Sequence, residues 1–169
     1  PSAGSPRRSR VLGERGFDRL RQLGVELRSP LLRLGDDVHR LMSDWFKSEL
    51  GCQVLDAERD LLDHLLPSMF GYYLVQTGVG EPQWLASSST IHCKLYLCEQ
   101  PYNSSHYHCV ASRPDDMAIA TESIDVALLH HSLDFESEPH RALREVARTV
   151  IPGGKILIHM RGPDGTVYP

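Results

Sequence analysis

Residues 123–158 read SIDVALLHHSLDFESEPHRALREVARTVIPGGKILI, and they hold an apolar run, a helical segment and a second apolar run in that order. The run at 124–130 is short and almost unbroken, the pattern of a strand covered on both faces rather than one alternating between core and water. Ala142, Leu143, Val146 and Val150 then recur at helical spacing over 137–150, with Ser137 placed to open the helix and Pro139 in its first turn. Pro152, Gly153 and Gly154 predict a stop and turn before a last strand, KILIHM at 155–160.

Working outward, YYLVQ (72–76) reads as a buried strand that ends at glycines, and IHCKLYLCE (91–99) and HYHCVAS (106–112) supply two more strands. Two apolar stripes precede them. The first has Val38, Leu41, Met42, Trp45, Phe46 and Leu50 on one helical face, with Asp36 and Asp37 suited to its start and Gly51 to its end. The second runs through Val54, Leu55, Ala57, Leu61, Leu62, Leu65 and Leu66 and stops at Pro67. Apolar strands in this order, with one helix between the last two, predict an α/β fold whose mostly parallel sheet carries helices on both faces.

With 169 residues, the chain has the size of one domain. Its net charge of -4 is unevenly placed: 1–33 hold eight arginines against three acids, leaving ten basic and nineteen acidic residues beyond. We therefore expect a basic, partly disordered arm over 1–34 and a domain over 35–169, led in by helices at 36–66. An acidic body without interleaved aromatics speaks against nucleic acid as a partner. No apolar stretch approaches the roughly 18 residues of a membrane span. The arm lacks the apolar core of a secretory signal, so a cytoplasmic setting is expected, with Cys52, Cys93, Cys98 and Cys109 free.

Gly78 and Gly80 stand where the first strand gives way to a turn, the place where open α/β sheets bind ligands. Gln83 breaks the dinucleotide fingerprint, and no P-loop is present. A plain corner explains the pair as well. Glu99 follows Gly80 by nineteen residues, near the offset at which a carboxylate meets ribose hydroxyls; an exposed strand-end charge is its alternative. Cys93, Cys98, His106, His108 and Cys109 crowd into one tract, but neighbours on a strand face opposite sides, so no metal site is expected. His130 and His131 follow the fourth strand, placed either to take a proton from a substrate or to line a pocket.

The tract SRPDDMAIATESIDVALLHHSLDFESEPHRALREVARTVIPGGKILI resembles the second half of a class I S-adenosylmethionine-dependent methyltransferase of the methyltransferase-11 type. The features that carry this are Ser123-Ile124-Asp125, His130, Leu143-Arg144-Glu145 and Pro152-Gly153-Gly154. LDAERDLLDHLLPSMFGYYLVQTG upstream is similar to the lead-in of a small bacterial branch of that family. The resemblance implies a Rossmann-like, doubly wound fold and S-adenosylmethionine as cofactor. It implies Gln76, Gly78, Gly80, Glu99, Met117 and His130 as cofactor-binding positions, His130 and His131 as candidate catalytic groups, and a small-molecule methyl acceptor. Gln76 stands where the family has an acid, Pro82 where it has a third glycine, and Arg113 at the corner that meets adenine. These departures support an alternative, a degenerate, non-catalytic domain that acts as a binding module. The chain ends soon after 160, so the family's C-terminal hairpin is expected to be missing and the sequence reads as a piece of a longer one.

Overall fold

The computed structural model describes residues 34–79, 84–98, 108–136, 138–161 and 167–168. The arm, Gly80 and Glu99 lie outside them. Helices α1 (Leu34–Phe46) and α2 (Glu49–Leu65) lead into β1 (Tyr73–Gly78), β2 (Cys93–Cys98), β3 (His108–Ala111) and β4 (Ile124–His130); α3 (Pro139–Thr149), β5 (Val150–Arg161) and β6 (Val167–Tyr168) follow. The sheet order is β3-β2-β1-β4-β5-β6, parallel from β3 through β5. The order reverses direction between β1 and β4, which makes their carboxyl ends a topological switch point.

Side-chain alternation sorts the core into two layers. Leu74, Val126 and Leu128 pack against α1 and α2 through Val38, Met42, Phe46, Leu55 and Leu62. Val75, Ala127 and Leu129 face α3 through Ala142 and Val146. Helices thus cover both faces, as expected. Among the described residues the crossover from β1 to β2 contains no helix; Leu85, Ala86 and Ile91 fill that place, all buried.

Four local expectations change. The first helix stops at Phe46, and Gly51 lies inside α2 rather than at an end, because the Ser48 side chain caps α2 by accepting from Gly51 N at 3.1 Å. Pro152-Gly153-Gly154 is not a turn ahead of β5 but an irregularity within it: Ile124 pairs with Val150, yet Val126 pairs with Lys155, and Gly153 takes φ +85°. A short antiparallel return, β6, pairs Met160 with Tyr168 and Arg161 with Val167 at the edge where no hairpin was expected. Finally, Cys98 and Cys109 are joined in a disulfide, with Cα atoms 6.6 Å apart, whereas all four cysteines were expected to be free. Parallel β2 and β3 lie side by side, and their register, Cys98 with Ala111 and Tyr96 with Cys109, sets the two thiols one diagonal step apart.

Candidate functional site

Gly78 and His130 are register partners at the carboxyl ends of β1 and β4. A Cβ at Gly78 would lie 2.8 Å from Tyr96 Oη, 3.3 Å from the His130 carbonyl oxygen and 3.5 Å from His130 Nδ1, so a side chain there would have to displace the Tyr96 hydroxyl. The same alternation that sends Leu128 toward α2 sends His130 there as well, and on β5 it sends His159, the partner of His130, to that face.

His131 would face α3 if the strand continued. Instead its φ of +54° turns the chain back, and its ring comes beside that of His130 with centroids 4.6 Å apart. Both rings meet a carboxylate from α2. Glu58 Oε2 accepts from His130 Nε2 at 2.8 Å, and Oε1 accepts from His131 Nε2 at 2.9 Å. Asp134 Oδ2 takes the other nitrogen of His131, Nδ1, at 2.9 Å. The His159 Nε2 lies 3.9 Å from Glu58 Oε1 and finds no hydrogen-bond partner. Such an orphaned buried group costs about 1–3 kcal/mol. All five side chains are buried, and Phe46 lies against His130 and His131.

The electrostatics follow from burial set against partners. Burial pushes Glu58 toward its neutral form, but the hydrogen bonds from His130 and His131 outweigh it and hold the carboxylate below the usual range. His130 is lowered to about 4, mainly by burial, and is therefore neutral, with Nε2–H given to Glu58 and Nδ1 left as an acceptor toward Gly78. His131 also suffers burial, yet its bonds to Asp134 and Glu58 raise it to about 9 and keep it cationic. Burial lowers His159. The cluster is a buried charge network that fixes one tautomer of His130.

The other expected positions are distributed as follows. Gln76 is fully buried in β1, and its Oε1 accepts from Leu85 N at 3.1 Å, so it holds the β1–β2 crossover. Met117 is buried against Val75, Leu97 and Leu129, and its amide donates to Glu145 Oε1 at 3.1 Å. Arg148 pairs with the same carboxylate and also donates to the Met117 and Ile119 carbonyls, fastening the loop to α3. Arg113 Nε donates to Asp115 Oδ1 at 3.0 Å. Gly80 and Glu99 lie outside the described residues.

Glu58, Asp134 and His159 were missed in the sequence. Glu58 had left a trace: it falls on the buried face of α2 between Leu55 and Leu62, where an apolar residue would be usual. No metal site was expected, but Glu58, His130 and His131 each offer a ligand atom within 4.8 Å of the others.

Comparison with known proteins agrees with this architecture. Residues 90–158 match the family model described as a methyltransferase domain. The uncharacterized protein YafS of Escherichia coli strain K12 is 31% identical over 93 residues, 53% of this chain and 36% of that protein. Among solved structures, the putative methyltransferase complexed with the Trm112 activator from Haloferax volcanii superposes with a TM-score of 0.53 at 19% identity, over 70% of this chain and 59% of that one. The [4+2]-cyclase SpnF gives 0.53 at 20% identity, over 67% and 51%. A putative S-adenosyl-L-methionine-dependent methyltransferase from Methanococcus maripaludis gives 0.55 at 13%, over 83% and 69%. The chain spans about a third of the curated relative it matches and about half to two thirds of these structures. Residues 90–158 are thus similar to a methyltransferase domain, and the sheet is the fold of these structural neighbours.

Proposed function

We propose that this domain binds S-adenosylmethionine at the carboxyl ends of β1 and β4 and transfers its methyl group to a small-molecule acceptor. The observation that carries this reading is the pairing of Gly78 with His130 at the switch point, the crevice at which open α/β sheets bind ligands. Bound there, the cofactor would supply an electrophilic methyl carbon on a sulfonium. The chain's own residues supply position. Gly78 stands at the strand end and Met117, held by the Glu145 and Arg148 clamp, borders the adenine side, while Gly80 and Glu99, outside the described residues, keep the roles the resemblance gives them toward the methionine tail and the ribose hydroxyls. His130, fixed by Glu58 and turned toward Gly78, shapes the strand end beneath the cofactor rather than taking a proton, since burial holds its pKa at about 4. His131, held on both nitrogens by carboxylates, serves as a support and not as a base. No helix among the described residues is long and apolar enough to cross a membrane. A cytoplasmic site of action belongs to this proposal.

Calorimetry with S-adenosylhomocysteine tests it. Saturable binding by the wild type, lost in Gly78→Arg and weakened at least tenfold in Glu99→Ala, is the expected result. No heat at millimolar ligand would favour the second reading, a binding module without catalysis. That reading draws on Gln76, which replaces an acid and is engaged with Leu85. The cyclase among the structural neighbours illustrates that this fold does not by itself dictate the reaction.

A further inference from the structure

We propose that Glu58, His130, His131 and His159 form a binding site for a divalent transition-metal ion, with Asp134 holding His131 from behind. The inference does not need the methyl-transfer reading, but an ion on His130 Nε2 would replace its bond to Glu58 and move the ring proton to Nδ1.

Its first support is convergence. Three imidazoles from two adjacent strands and the turn after β4 all aim Nε2 at one carboxylate on a helix, at 2.8, 2.9 and 3.9 Å. His130 and His159 are register partners on β4 and β5, and the His131 amide donates to the His159 carbonyl at 2.8 Å, so backbone bonds fix the spacing of all three. Ring centroids lie 4.6, 6.0 and 6.0 Å apart. Tetrahedral zinc with bonds of about 2.0–2.1 Å to Nε2 would set such centroids roughly 5 Å apart, within that spread.

The second support is independent of the first. His159 is 3% exposed, yet its Nε2 has no partner and is directed at the cluster. One carboxylate satisfies two of the imidazoles and leaves the third wanting an electron-pair acceptor. His159 stands just outside the triad whose ligand atoms lie within 4.8 Å of one another, and by closing in on an ion held there it would fill that need. The bond from His131 Nδ1 to Asp134 is the arrangement that orients a metal-bound imidazole through its far nitrogen. Three nitrogens and one carboxylate oxygen suit zinc, cobalt or iron and not the all-oxygen shells of magnesium or calcium. With all four groups buried, such an ion would tie α2 to β4 and β5 rather than meet substrate.

The test uses the full chain, stripped with a chelator, dialysed, and titrated with Zn²⁺ by calorimetry and with Co²⁺ by visible absorption. The expected result is one ion per chain and a Co²⁺ ligand-field spectrum typical of four-coordination. His159→Ala should weaken Zn²⁺ binding at least tenfold. Asp134→Asn, which keeps the shape and all four ligands, should weaken it about 10–100-fold. Should His159→Ala fail to fold by circular dichroism, Asp134→Asn decides. A folded wild-type chain that takes up no stoichiometric ion overturns the proposal. So does Zn²⁺ affinity unchanged in folded Asp134→Asn, which would place the ion at other histidines or cysteines.

Discussion

Glu58 on α2 and His130 at the end of β4 share a hydrogen bond of 2.8 Å across 72 residues of sequence, and neither side chain is more than 1% exposed. The bond joins the helical lead-in to the strand end that carries the proposed site, so packing and chemistry meet in one contact.

Glu58→Ala in the metal-free protein removes the acceptor of two buried imidazoles and leaves His131 as a buried cation with one partner fewer. We expect a loss of about 3–5 kcal/mol, the cost of breaking a buried pair from one side. Glu58→Gln keeps the shape and one acceptor and should cost less. Urea unfolding of the three proteins measures both, and midpoints equal to wild type would show that the cluster does not hold α2 to the sheet.

Gly51 is a packing glycine. A Cβ there would collide with the Trp45 carbonyl oxygen, a backbone atom that cannot rotate away. Gly51→Ala should therefore destabilise by roughly 1–3 kcal/mol through overpacking, although alanine favours helices. A rise in melting temperature would contradict the close approach of α1 to α2.

Asp125 Oδ2 accepts from the amides of Tyr72 and Tyr73 at 2.8 and 2.9 Å, fixing the entry to β1. Asp125→Ala should cost about 1–2 kcal/mol because two donors aimed at a charged acceptor lose it and turn to water. Chemical denaturation reads the loss directly.

The clamp on the Met117 loop should respond to acid. Glu145 is lowered from its usual 4.5, chiefly by its hydrogen bond to Arg148. A carboxyl lowered on folding stabilises above its unfolded value, and that contribution fades as pH falls through the lowered one. Protection of the Met117 amide, normalised for intrinsic exchange, should thus be full at neutral pH and fall in acid below the unfolded carboxyl range. Arg148→Ala should show the same loss at neutral pH. Equal protection at all pH values would show that the loop is held by burial alone.

The parallel sheet and its two helical faces were legible in the chain because strand burial and helix periodicity are local patterns: 124–130 is apolar throughout, and Ala142 and Val146 repeat at one turn. Gly78 was legible too, as a strand-end glycine. Its partnership with His130 came from register, which depends on how two strands dock. Gln76 was expected beside the cofactor, and what docking adds is its burial in β1 with Oε1 accepting from Leu85 N.

The amino-acid order alone therefore settled the two leading helices, the strands β1 to β4 and α3, and which face of each helix is apolar, but not β6 or the start of β5. The three-dimensional fold alone decided that a glutamate from α2, a histidine from β5 and an aspartate after β4 gather around His130 and His131. The physical reason is distance. Those charges meet across a helix-to-sheet interface, and whether a buried carboxylate is tolerated there depends on partners that lie at least 72 residues away from Glu58.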